Sequence, residues 1–108
     1  MERLFKVRSV YRTSIKGRNE GDAPRPKVEI TLCYHETFYS SQSGPGIRHQ
    51  YVQVTLLDDA ADKCQLQAGM WVVANISLAG FESRSDPGRI ITQGYLDCCV
   101  PISDFNAL

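Results

Sequence analysis

The segment "LLDDAADKCQLQAGM", residues 56–70, constrains the fold more than any other stretch of the chain. A strand-like run ends in it and another begins, with only about two turns of helix-compatible sequence between them. The helix-compatible segment is too brief for the ordinary crossover helix that joins parallel strands. Asp58 or Asp59 is placed to cap the helix, the acids sit at the positive end of its dipole, and Gly69 ends it. A helix this brief works as a plug over the end of a small barrel.

Alternation of apolar and polar residues marks five strands around that plug. In the first, residues 4–14, Phe5, Val7, Tyr11 and Thr13 alternate with Lys6, Arg8 and Arg12. Val10 interrupts the polar face, which implies a bulge or a strand shared between two sheets. Residues 16–26 read as loop. The second strand, 27–36, turns Val28, Ile30, Leu32 and Tyr34 one way and Lys27, Glu29, Thr31, Cys33 and His35 the other. Residues 37–48 read as a long connection with Gly-Pro-Gly at its tip. The third strand, 49–57, buries Val52, Val54 and Leu56, and the fourth, 70–78, buries Met70, Val72, Ala74, Ile76 and Leu78. Residues 79–89 form a turn-rich loop through Asp86-Pro87-Gly88, and a fifth strand, 89–100, runs into Pro101. Five strands with the one helix between the third and fourth is the order of an OB-fold, an all-β five-stranded Greek-key barrel. An SH3-like barrel is the alternative, with shorter strands and a single late 3₁₀ turn. The expected domain spans residues 1–103, and 104–108 form a short tail.

The chain has 108 residues, 43% of them hydrophobic, which suits one small folded domain. Its longest apolar run, "MWVVA", is far short of a membrane span, and "MERLFKVRSV" lacks the apolar stretch of a signal peptide. The expectation is a cytoplasmic protein. Cys33, Cys64, Cys98 and Cys99 form no CxxC pair and read as reduced thiols acting as small buried hydrophobes. Cys33 and His35 share one strand face, but no second pair is spaced to complete a zinc site, so no metal and no cofactor are expected.

Net charge is zero, yet residues 1–27 carry eight basic residues against three acids, and the rest of the chain reverses that balance. From residue 27 to 102 the sequence resembles the bacterial single-stranded-DNA-binding proteins and their short OB relatives. In that family a strand reading roughly W-H-R-V-V-x-F-G leads through a few helical residues into L-x-x-G-x-x-V-x-V-x-G-x-L, a basic and aromatic hairpin, and a last strand. The counterparts here are "HQYVQVTLLDDAADKC", "LQAGMWVVANISL", "AGFESRSDPGR" and "IITQGYLDCCV". Leu56 or Leu57 stands near the family's third-strand aromatic, and Phe81 and Arg84 fall at its hairpin. The resemblance implies non-catalytic binding of single-stranded DNA (or RNA) in replication, recombination or repair. A homodimer or homotetramer is expected, because one small barrel supplies few nucleotide contacts and Trp71, Tyr95 and Val73 need a cover.

Such binding needs π-faces for bases and cations for phosphates. The outward face of the second and third strands carries Thr31, Cys33, His35, His49, Tyr51 and Gln53. Tyr39, Tyr51 and Phe81 are the expected stacking residues, and Arg12, Lys16, Arg18, Arg48 and Arg84 the expected phosphate contacts. No nucleophile elbow, phosphate-binding glycine motif or motif-placed carboxylate pair is present, so no enzyme is expected. Two further readings stay open: an OB module that binds protein, and, more remotely, a metal or small ligand held by Cys33, His35 and His49.

Overall fold

A computed structural model of the chain describes residues 2–102, so the expected tail, 104–108, lies outside the described residues. The elements run β1 (Glu2–Ile15), β2 (Arg25–Ser40), β3 (Gly44–Leu57), α1 (Asp59–Lys63), β4 (Trp71–Glu82) and β5 (Ile90–Pro101). The strands close into a barrel in the order β1-β2-β3-β5-β4, with the short helix between β3 and β4. That is the OB-fold. No helix among the described residues is long and apolar enough to cross a membrane.

Closure depends on β1, which is shared. Its first residues pair with β4, from Glu2↔Asn75 to Lys6↔Trp71, and its remainder pairs with β2, from Lys6↔Cys33 to Ile15↔Arg25. The register slips between Val7 and Ser9. At that slip the backbone of Val7 is satisfied from the other side: its N–H donates to the Met70 carbonyl and its carbonyl accepts from Gly69 N–H, both at 2.8 Å. Gly69 makes this approach at φ +93°, a conformation open to glycine. Of the two expectations from Val10, the bulge occurs, a little earlier in the strand, while β1 stays within one closed sheet and is not shared between two sheets.

A register slip of one residue exchanges the faces of everything beyond it. Phe5 and Val7 point into the barrel, but Ser9, Tyr11 and Thr13 lie opposite Thr31, Glu29 and Lys27 on the outer side. Tyr11, grouped with Phe5 and Val7 by simple alternation, is thus 62% exposed. Val10 and Arg12 instead lie opposite Ile30 and Val28, on the inner side.

The core comprises Phe5, Val7, Val28, Ile30, Leu32, Val54, Val72, Ala74 and Ile76 from the strands, closed at one end by Ala61 of α1 and by Leu66. Each large apolar side chain buried this fully contributes roughly 1.5–3 kcal/mol. Phe5 meets the Tyr34 ring edge-on at 5.5 Å between centroids. Asp58 precedes α1 at φ 55° and makes no side-chain cap; its carboxylate is taken by Arg25. The expected acidic cap is therefore an ion pair that ties the end of β3 to the start of β2.

Residues 37–48 are not a loop. The β2–β3 ladder continues to Ser40↔Gly44, and only residues 41–43 form the turn. Ser40 Oγ accepts from the N–H groups of Gln42 and Ser43, and Gly44 closes the turn at φ +79°. Gly-Pro-Gly therefore opens β3 and does not form the tip. Gly46 lies beneath the Phe38 ring, so an added Cβ would sit 2.6 Å from its Cζ. The β4–β5 ladder likewise extends to Glu82↔Ile90. These two arms give extents of 57 × 44 × 18 Å and a radius of gyration of 17.1 Å, against about 13 Å for a compact chain of this length.

Candidate nucleic-acid interface

Directly opposed residues of an antiparallel pair share a face. The outer face of β2–β3 therefore carries three rows: Thr31 with Gln53, Cys33 with Tyr51, and His35 with His49. The middle row continues across the neighbouring strands, because Cys33 opposes Lys6 and Lys6 opposes Trp71. Trp71, Lys6, Cys33 and Tyr51 thus line up over four adjacent strands.

Cations and rings are interleaved along this row. The Arg8 guanidinium lies 5.0 Å from the Tyr51 ring centroid, and its Nη1 donates to the Tyr51 hydroxyl at 3.3 Å. Lys6 Nζ lies 5.7 Å from the Trp71 ring. Such contacts are worth about 0.5–1 kcal/mol at exposed sites and hold a cation beside an aromatic surface. Tyr51 is 53% exposed, and Tyr39, further along the same face of the arm opposite Pro45, is 78% exposed. Toward α1, Tyr11 stands opposite Glu29, which is paired with Lys27 at 3.0 Å. Between Trp71 and the β2 side of this face lies a cleft of about 460 Å³, lined by Leu4, Lys6, Cys33, Tyr34, His35 and Trp71.

The eight residues expected from the sequence do not converge. Tyr39 and Tyr51 share the outer face. Arg12 is on the inner side of β1, where its Nη2 donates to the Cys64 carbonyl at 2.8 Å beyond α1. Lys16 and Arg18 follow β1 at that same end. There Arg25 holds Asp58 through Nε–Oδ1 and Nη2–Oδ2 bonds of 2.9 and 2.6 Å. Those bonds hold the Asp58 carboxyl below the usual aspartate range and raise Arg25, and the nearby charge of Arg18 lowers Asp58 further. Arg48 lies on the reverse face of the β2–β3 arm, 4.4 Å from the Phe38 ring centroid. Phe81 faces Ile91 on the β4–β5 arm, and Arg84 belongs to that arm's turn.

The face gains Arg8, Lys6 and Tyr11 in their place. The first two were visible as the polar alternation of the first strand, but Tyr11 reaches the face only through the bulge. His35 and His49 meet edge-on with ring centroids 4.5 Å apart, and the ligating atoms of Cys33, His35 and His49 all lie within 4.8 Å of one another.

The chain is thus an OB-fold protein with an aromatic and cationic sheet face. No family model matches it, and no curated protein matches it.

Proposed function

We propose that the protein binds single-stranded nucleic acid without catalysis, as its resemblance to the single-stranded-DNA-binding proteins implies, in DNA replication, recombination or repair. The observation that carries this reading is the Trp71–Lys6–Cys33–Tyr51 row with Arg8 resting on Tyr51. Bases stack on the exposed rings, and Lys6 and Arg8 meet phosphates beside them, a sequence-tolerant arrangement. Tyr11 and Tyr39 extend the path along the sheet in both directions. Four free thiols fit a reducing compartment such as the cytoplasm.

Fluorescence titration of oligo-dT across a salt series tests the reading. Two phosphate contacts give a log–log salt slope of about −1.4 for a single strand, and a path that also engages Lys16 and Arg18 gives about −2.8. No binding by micromolar protein at low salt overturns the proposal.

Assembly into a homodimer or homotetramer belongs to the same reading. It is supported by Leu78, Ile90, Ile91 and Tyr95, exposed apolar side chains of β4 and β5. Sedimentation at several concentrations checks it, and a strictly monomeric chain refutes it. A second reading, a protein-binding OB module, is favoured by the separation of Arg12, Arg18, Arg48 and Arg84, which leaves no continuous cationic groove among them. Failure to bind oligonucleotide combined with stable self-assembly would favour that module.

A further inference from the structure

The geometry points to a zinc site on the outer face, made by Cys33, His35 and His49 with a fourth position open to solvent. Cys33 and His35 are two residues apart on β2 and so project to one side of the sheet. His49 is directly opposite His35 in the β2–β3 ladder. The hairpin register therefore brings His49 to the face that Cys33 and His35 already share.

The donor set and the spacing both suit zinc. With Zn–S near 2.3 Å and Zn–N near 2.0–2.1 Å, tetrahedral geometry places ligand atoms about 3.3–3.6 Å apart. The sulfur and ring nitrogens already lie within 4.8 Å of one another. Closing the difference takes side-chain rotation of about an ångström, with the ladder unchanged, since a cross-strand pair has Cβ atoms about 4.5–5.5 Å apart. Thiolate with two imidazoles in a tetrahedral set selects zinc over magnesium or calcium, which take oxygen ligands. Both histidines are exposed and Cys33 is half-buried, so the metal has a route in. The adjoining cleft, lined in part by Cys33, His35 and Lys6, gives a fourth ligand room to enter. Three protein ligands with one open position is the arrangement of a zinc that accepts an exogenous donor. Binding displaces the Cys33 thiol proton and forms the Zn–S bond with no change in oxidation state.

The site shares Cys33 with the aromatic and cationic row but does not rest on nucleic-acid binding, and its test uses the full chain without oligonucleotide. Purified protein equilibrated with zinc and then desalted is expected to retain one zinc per chain by elemental analysis. Cobalt(II) in its place is expected to give tetrahedral ligand-field bands with a thiolate charge-transfer band. Removing even an outer hydrogen-bond partner of a zinc ligand costs about 10- to 100-fold in affinity, so His35→Asn, His49→Asn and Cys33→Ser should each lose at least about tenfold. Cys33→Ser should also abolish the charge-transfer band. Cys98→Ser, on exposed β5, should leave all of these unchanged. Circular dichroism establishes that each variant is folded. Absence of retained zinc and of the cobalt spectrum in the folded wild type overturns the proposal. So does a charge-transfer band that survives Cys33→Ser or disappears in Cys98→Ser.

Discussion

Replacing Tyr51 by alanine removes the ring at the end of the four-strand row, together with the surface on which Arg8 rests. Stacking one base on an aromatic side chain is worth about 1–3 kcal/mol. Here the guanidinium 5.0 Å from the centroid occupies one side of the ring, which leaves one side for a base and puts the expected loss near the low end. At 1.4 kcal/mol per tenfold, a loss of about 1–1.5 kcal/mol raises Kd about 5- to 12-fold. Tyr51→Phe keeps the ring and gives up only the 3.3 Å bond from Arg8, so its cost should stay within about two- to threefold. Arg8→Ala removes a phosphate contact and should flatten the log–log salt slope by about 0.7. Fluorescence anisotropy with labelled oligo-dT measures all three, and thermal melts establish that these exposed substitutions leave the fold intact. Wild-type affinity in folded Tyr51→Ala would refute stacking on this face, and equal losses in the Phe and Ala variants would assign the effect to the hydroxyl.

Three further outcomes rest on the barrel itself. Gly94→Ala places a Cβ 2.8 Å from the Gln53 backbone carbonyl, where neither strand can yield locally, and should cost about 1–3 kcal/mol in chemical denaturation. Gly46→Ala meets only the far edge of the Phe38 ring, which can swing aside, so its cost should fall below about 1 kcal/mol; equal costs would refute this distinction. Arg25 lowers the Asp58 pKa on folding, so the ion pair stabilises above the ordinary aspartate range and its contribution is lost as pH falls through the lowered value. Wild type should therefore exceed Asp58→Asn in stability at neutral pH, with the gap closing in acid. A gap independent of pH in urea titrations would contradict that linkage.

The barrel was legible because its five alternating runs and one short plug admit few arrangements. Alternation also placed Cys33, His35, His49 and Tyr51 on one face, since the pleat has a period of two. What escaped was register. Val10 signals an irregularity in β1, but periodicity cannot tell which peptide slips, and the slip at Val7 decides that Tyr11 faces outward while Arg12 turns toward the helix end. The β2–β3 arm escaped for a different reason: glycine and proline ordinarily end strands. Here Phe38 covers Gly46, and Pro45 sits one residue from the turn. The basic excess of residues 1–27 is plain from the sequence as a group property. The division of those cations between the outer face and the helix end depends on which strand each neighbours, which charge alone does not encode.

The joint between β3 and β5 has a consequence for how the barrel forms. A single parallel bridge, Val54↔Gly94, joins strands that are each bound along much of their length to an antiparallel partner. Both hairpins link segments close in sequence, whereas this bridge and the β1–β4 pairing join distant ones. Chain entropy therefore favours assembly of the hairpins before closure, and the closing contacts set the pace, in the millisecond-to-second range typical of barrels with non-local pairing. One of these two closing seams also leaves no room for a side chain, since a Cβ at Gly94 would meet the Gln53 carbonyl at 2.8 Å, so closure there requires glycine.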